Sequence, residues 1–266
     1  MVKKKLSILD IRQEYEKHLT KGRTEGTNLN YYNLWGHIVL RRISYYPSWL
    51  LLRLGASANS VTLGAFAIGC VGCLLLAIGE GIEVIIGALL LNLWALFDYV
   101  DGNMARCSGS SSRYGKLLDS ICDQAIASLL FISAGVGAFH YPDYFMNSLI
   151  HMVLGVELNK SMYLVLGGWA STCFILSLNI GYSFERIFLQ NVLHFISIKE
   201  EGKALSTTLR KIGITLISTS GLVMPLLFFA TLLKLLGTFV FVWSFINTIA
   251  LILLLVQVLK KVKASS

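Results

Sequence analysis

The sequence predicts an all-α integral membrane protein with six transmembrane helices and an amphipathic helix in an N-terminal cytoplasmic or interfacial segment. Hydrophobic residues make up 55% of the 266 residues and charged residues only 14%, whereas about 25% of the residues of a soluble domain are charged. Six apolar runs also approach the length of about 20 residues that crosses a bilayer as a helix. They lie at 58–79, 83–105, 115–139, 161–182, 211–233 and 238–259.

The segment before the first apolar run has two parts. Residues 1–30 are polar and of mixed charge, and because no apolar stretch follows the N-terminal lysines, they predict a short cytoplasmic helix and loop and not a signal peptide. From Tyr31 to Gly55 aromatic residues alternate with arginines, which is typical of a helix in the headgroup layer. A further spanning helix is the alternative, disfavoured by the paired arginines and Pro47. We therefore expect a juxtamembrane segment over 1–57 and a transmembrane domain over 58–263.

Basic residues predict the orientation of these helices. They concentrate before the first run, in the connections after the second and fourth runs, and after the last run, while the other connections carry little beyond Lys160 and Lys234. The positive-inside rule therefore places both termini and the loop after the second run in the cytoplasm. The stretch 140–160 is expected to form an external loop with an interfacial turn. The net charge of +8 follows from this topology, and we expect no nucleic-acid partner.

The cysteines predict packing and no disulfide framework. There are five, an odd number, and nearly all lie in apolar runs. Cys70 and Cys73 have the spacing of a CxxC motif, but no partner pair accompanies them, so packing in the helix core is the simpler interpretation. No zinc-binding motif is present in the sequence.

Four aspartates lie in the otherwise apolar stretch from Leu91 to Leu130. Each Asp at the centre of a membrane helix costs roughly 2.5–3.5 kcal/mol, so an uncompensated group of four would cost on the order of 10–14 kcal/mol. Bound divalent cations are the expected compensation, because hard cations bind carboxylate oxygens and one ion can neutralise two acids. The aspartates are Asp98, Asp101, Asp119 and Asp123.

The spacing of these aspartates predicts one site. At about 100° per residue, both aspartates of the second run share a stripe with Gly102 and Ala105. Asp119 and Asp123 are four residues apart and share a face of the next helix. Because only the short loop 107–114 joins the two helices, we expect them to pack antiparallel. The four carboxylates would then face one crevice lined by small residues.

The aspartates belong to a longer pattern. It reads Asp98-Tyr-Val-Asp101-Gly102-Asn-Met-Ala105-Arg106, followed at fixed spacing by Gly115, Asp119 and Asp123. This pattern resembles the signature of the CDP-alcohol phosphotransferase family of integral membrane enzymes. Asn59 and Thr62 are similar to that family's Asn-x-x-Thr entry to the first span, although Ala58 stands where a proline is common.

The resemblance implies a transferase that moves a substituted phosphate from a CDP-linked donor to a hydroxyl acceptor and releases CMP. It implies two divalent cations, Mg²⁺ or Mn²⁺, with Asp98, Asp101 and Asp119 as ligands and Asp123 as a ligand and general base. It also implies a nucleotide site built from Asn59, Thr62, Gly102, Ala105, Arg106 and Gly115. One of the two substrates would be a lipid of the membrane, and we expect a homodimer.

The acceptor site is less visible in the sequence. Cations on the predicted cytoplasmic side are candidates for binding an acceptor or a phosphate, although topology alone would place cations there. These candidates are Arg113, Lys116, Arg186, Lys203 and Arg210.

A divalent-cation transporter or channel is the alternative function, since acidic residues within a membrane often mark ion pathways. A transporter built from inverted repeats should carry a second acidic or broken-helix element in its C-terminal half. The last three apolar runs contain almost no acidic residue. A transporter would also not need an arginine, two glycines and an alanine at fixed distances from the acids.

Overall fold

The computed structural model describes residues 7–24, 35–155, 159–192 and 219–265, and all of its regular elements in these ranges are helical. A π-helical segment, Gly36–Leu40, leads into α2, and another, Thr219–Val223, leads into α8. The α-helices are α1 Ile8–Thr24, α2 Arg41–Arg53, α3 Ala58–Ile78, α4 Gly81–Cys107, α5 Arg113–His140, α6 Tyr144–Leu154, α7 Ser161–Val192, α8 Met224–Leu232 and α9 Leu236–Ser265.

Five helices are long and apolar enough to cross a membrane: α3, α4, α5, the part of α7 from Ser161 to Gly181, and the part of α9 from Leu236 to Lys260. They confirm five of the six predicted runs. The fifth predicted run, 211–233, contains a shorter apolar helix, Gly221–Leu232, and its first residues, 211–218, lie outside the described residues. The structure therefore shows a multi-pass membrane protein of the predicted class without confirming a count of six.

The N-terminal segment contains the predicted helices. α1 is the polar helix expected within residues 1–30, and α2 lies within the aromatic and arginine-rich stretch. α2 packs on α4 through two buried serines, Ser44 and Ser48. With 13 residues, α2 is shorter than a bilayer requires, and it is not among the five candidate spans.

The prediction of a loop with a turn over 140–160 was wrong, because residues Tyr144–Leu154 form α6. The Asp143 side chain caps this helix by accepting a hydrogen bond from the Met146 N–H at 3.1 Å. Asp143 also accepts a hydrogen bond from the Thr238 hydroxyl at 3.0 Å, which ties α6 to the start of α9. Gly155 ends the helix in a left-handed conformation, with φ of 67°. The segment is too short to span, but its caps make it helical.

Glycines let the spanning helices approach through their backbones. A Cβ on Gly87 of α4 would lie 2.8 Å from the Gly72 carbonyl oxygen of α3, and a Cβ on Gly167 of α7 would lie 2.7 Å from the Phe131 carbonyl oxygen of α5. A Cβ on Gly69 of α3 would likewise lie 2.8 Å from the Ile126 side chain of α5, so α3, α4, α5 and α7 share one packed core. The predicted packing role of the cysteines is consistent with this core, since all five are free thiols and Cys73 is buried.

The connection between α4 and α5 is as short as the sequence predicts. α4 ends at Cys107, and Gly109 turns the chain with φ of 64°. Ser112 then caps α5, because its hydroxyl accepts a hydrogen bond from the Gly115 N–H at 3.0 Å. The connection turns α5 back antiparallel to α4, but the two helices do not pack on each other as the sequence predicts, because α3 packs on both of them. The aspartates of α4 and α5 face one another across the crevice that remains between these two helices.

Candidate functional site

Three aspartates converge between α4 and α5. One carboxylate oxygen each from Asp98, Asp119 and Asp123 lies within 4.8 Å of the other two, and all three residues are partly buried. Asp119 and Asp123 lie one turn apart on α5, and Asp98 faces them from α4. The helical spacing and the short connection together account for this arrangement.

Asp101 does not belong to this group of three. It is 6% exposed, and its Oδ2 accepts a hydrogen bond from the Thr62 hydroxyl of α3 at 2.6 Å. The structure therefore separates the predicted set of four into three converging carboxylates and one that is held by a neighbouring helix. It also brings Thr62, a predicted nucleotide-binding residue, directly to a predicted metal ligand.

The three converging carboxylates fit a hard divalent cation. Mg²⁺ and Mn²⁺ take oxygen ligands, and three carboxylates this close in a partly buried place repel one another unless a cation or protons neutralise them. Among the residues that the structure describes, this is the one group of three or more potential metal ligands that lie this close together. Asp98, Asp119 and Asp123 are therefore the residues that could hold the ion.

Small residues beside the carboxylates allow polar side chains to approach the helix backbone closely. A Cβ on Gly102 would lie 3.3 Å from the Arg106 guanidinium, and a Cβ on Gly115 would lie 3.0 Å from the Asn59 side-chain oxygen. Four of the predicted nucleotide-binding residues thus meet in two pairs near the aspartates. Ala105, on the same helix as Gly102, is partly buried.

Arg106 is held in position by a chain of hydrogen bonds that the sequence did not predict. The Arg106 guanidinium donates to the Asn103 side-chain oxygen at 2.9 Å, and the Asn103 amide donates to the Ser44 hydroxyl of α2 at 2.9 Å. Asn103 is 2% exposed. Its position three residues before Arg106 was the only signal in the sequence, because residues three apart on a helix are neighbours.

The predicted acceptor residues are described only in part. Arg113 and Lys116 are exposed at the start of α5, near the loop that joins it to α4. Arg186 lies in α7, but its side chain is outside the described part of the structure. Lys203 and Arg210 lie wholly outside the described residues. The structure consequently places two of the five candidates at the end of the helix pair that carries the aspartates.

Similar proteins match somewhat less than a third of the chain. A phosphatidylinositol phosphate synthase of Corynebacterium glutamicum is 37% identical over 82 residues, which are 31% of this chain and 36% of that protein. Proteins of the same name from Mycobacteroides abscessus and Streptomyces avermitilis are 36% and 38% identical over 81 residues, which are 30% of this chain and 36% and 32% of those proteins.

These matches span about a third of the length of each relative. The sequence model of the CDP-alcohol phosphatidyltransferase family matches a much longer part of the chain, residues 56–250. That range includes α3, α4 and α5 and all of the converging aspartates. The chain therefore belongs to the CDP-alcohol phosphatidyltransferase family.

Proposed function

We propose that this protein transfers a substituted phosphate from a CDP-linked donor to the hydroxyl of an alcohol and releases CMP, one of the two substrates being a lipid. The observation that carries the proposal is the convergence of Asp98, Asp119 and Asp123 within 4.8 Å of one another. Family membership supports this reaction class over a divalent-cation transporter or channel.

The carboxylates have two tasks in this reaction. Two divalent cations bound here, Mg²⁺ or Mn²⁺, would offset the negative charge of the diphosphate and of the departing CMP. Asp98, Asp119 and Asp123 would hold a cation where they converge, and Asp101 would be the fourth ligand of the pair of cations. Asp123 accepts the proton of the acceptor hydroxyl while the new O–P bond forms and the bond between phosphorus and the CMP oxygen breaks.

The small residues form the proposed nucleotide site. Gly102, Ala105 and Gly115 leave room for the cytidine to lie against the backbones of α4 and α5. The Asn59 side chain lies beside Gly115, so it would meet a nucleotide bound there. Thr62 orients Asp101 through its hydrogen bond. Arg106 binds a phosphate of the CDP-linked substrate, because the N–H groups of its planar guanidinium suit phosphate oxygens.

The acceptor class is proposed from the relatives. These relatives are phosphatidylinositol phosphate synthases, which favours a phosphorylated polyol as the acceptor to test and a CDP-linked lipid as the donor. Arg113 and Lys116 are the described cations that would attract its phosphate from the aqueous side, together with Arg186, Lys203 and Arg210. We further propose that the site opens to the cytoplasm, where both termini lie, and that the protein is a homodimer.

The test is CMP release by the purified protein in detergent with Mg²⁺, with CDP-diacylglycerol offered to inositol phosphate, glycerol phosphate and inositol in turn. We expect Asp119→Asn to reduce turnover at least about 100-fold, since several kcal/mol of charge stabilisation depend on the cation. Glu83→Gln is the matched control, because it removes an exposed carboxylate at the distant end of α4. Unchanged turnover of Asp119→Asn, full activity in EDTA, or Mn²⁺ flux into proteoliposomes without CMP release would each contradict the proposal.

A further inference from the structure

A cavity of about 630 Å³ lies between α1 and α2. Its lining includes Arg12, Tyr15 and Glu16 from α1 and Arg41 and Arg42 from α2. All of these residues precede the range 56–250 that the family model matches. The cavity is therefore a feature of this chain that family membership does not account for.

Arg41 is a buried cation in the wall of this cavity. The residue is 8% exposed, and its Nε has no hydrogen-bond partner. Its guanidinium carbon lies 3.9 Å from the centre of the Tyr15 ring and 4.9 Å from the centre of the Tyr99 ring. Two aromatic rings hold the guanidinium in place, but they do not neutralise it. Asp98 of α4 is near enough to interact with it electrostatically, but no described carboxylate lies within ion-pair distance of it. A buried charge in this state is costly unless a ligand supplies a closer opposite charge.

The Tyr15 hydroxyl is a second unpartnered polar group in the same wall. The residue is 7% exposed, and its oxygen has no hydrogen-bond partner. Burial raises the pKa of Tyr15 to about 12. The hydroxyl is therefore protonated at neutral pH and can donate a hydrogen bond.

The charges around the cavity are unbalanced. Three arginines line it, and one of its lining residues, Glu16, is acidic. Glu16 accepts a hydrogen bond from the Arg12 Nε at 2.8 Å. In the described part of the chain, Arg41 and Arg42 form no ion pair with a carboxylate. Arg106 adds a further cation, because its guanidinium carbon lies 6.0 Å from the centre of the same Tyr15 ring.

We infer that the cavity between α1 and α2 binds the phosphate group of an organic phosphate, with Arg41 and Tyr15 as buried donors and Arg42 at its rim. A guanidinium and a phenol supply the charge-assisted and neutral hydrogen bonds that phosphate oxygens accept. The inference does not depend on the proposed transferase reaction. The phosphate belongs either to a soluble phosphomonoester or to a lipid headgroup, which share this chemistry.

The experiment is calorimetry on the purified full chain in a neutral detergent, with EDTA present so that no divalent cation occupies the aspartates. Glycerol 3-phosphate is the soluble probe, and phosphatidic acid in mixed micelles, with diacylglycerol as its blank, is the lipid probe. We expect one of the two to bind, and Arg41→Gln to weaken that binding at least about tenfold, the equivalent of about one charge-assisted hydrogen bond.

Two further variants separate lost binding from lost folding. Arg42→Gln changes an exposed side chain, so it should leave the melting temperature unchanged and weaken phosphate binding several-fold. Arg53→Gln is the matched control, because Arg53 lies at the end of α2, is exposed, and stacks on Trp49 at 4.2 Å outside the cavity lining. It should bind the probe as the wild type does.

Binding of neither probe, or equal binding by the wild type and both cavity variants, overturns the inference. Loss of transferase activity with intact phosphate binding in EDTA would contradict only the proposed function.

Discussion

At the residue scale, three aspartates of the site converge, and the fourth, Asp101, accepts a hydrogen bond from Thr62 of another helix. Helix periodicity indicates which residues share a face of their own helix, so the convergence of Asp98 with Asp119 and Asp123 could be predicted. It does not indicate which residue of a third helix meets them. The hydrogen bond from Thr62 to Asp101 joins residues 39 positions apart, and the contact of Arg41 with Tyr15 joins two helices outside the motif.

The first residue-scale prediction concerns Thr62→Val. Valine has nearly the shape of threonine but cannot donate, so the buried Asp101 carboxylate loses its partner at 2.6 Å. An unsatisfied buried group costs about 1–3 kcal/mol. We expect a lower melting temperature and weaker Mn²⁺ binding, measured by thermal unfolding with and without Mn²⁺. Thr62→Ser keeps the hydroxyl and should behave nearly as the wild type. Equal melting temperatures and equal Mn²⁺ effects in both variants would show that the hydrogen bond does not matter to the site.

At the scale of the elements, long apolar runs were predictable, whereas short helices and helix crossings were not. α3, α4 and α5 follow directly from the length of their apolar runs. α6 was missed because its 11 residues are too few to span, and its helical state depends on capping by Asp143. The adjacent glycines of α7 look equivalent in the sequence. The structure distinguishes them, because only Gly167 faces α5.

The element-scale prediction compares Gly167→Ala with Gly168→Ala. A Cβ on Gly167 would lie 2.7 Å from the Phe131 carbonyl oxygen and 2.8 Å from the Gly135 Cα, so α5 and α7 must move apart. Overpacking of this kind costs about 1–3 kcal/mol. At Gly168 a Cβ would meet nothing within 4 Å, and alanine favours the helix by about 0.5–1 kcal/mol. We expect thermal unfolding to show a lower melting temperature for Gly167→Ala only. Equal effects of the two substitutions would contradict the assigned crossing.

At the scale of the whole molecule, the antiparallel helices separate the two ends of the bundle. The loop between α4 and α5 lies at the end that carries the aspartates, and the segment around α6, which follows α5, lies at the other end. The distribution of basic residues predicts which end faces the cytoplasm, because lysine and arginine are retained on that side during insertion. Helix packing alone does not orient the bundle in the membrane. The direction is therefore a prediction that rests on charge.

The whole-molecule prediction is that Ser110 faces the cytoplasm and Lys160 faces the opposite side. Both residues are exposed, one in the loop between α4 and α5 and the other just before α7. The five native cysteines are free thiols and would react with the label, so the background variant replaces each of them with alanine. Elution of this variant as a single species in size-exclusion chromatography is the folding control. In intact cells an impermeant maleimide should label Lys160→Cys and not Ser110→Cys, and permeabilisation should make Ser110→Cys reactive. The reverse pattern would invert the topology and place the aspartates on the side away from the cytoplasm, where a CDP-linked donor made in the cytoplasm could not reach them.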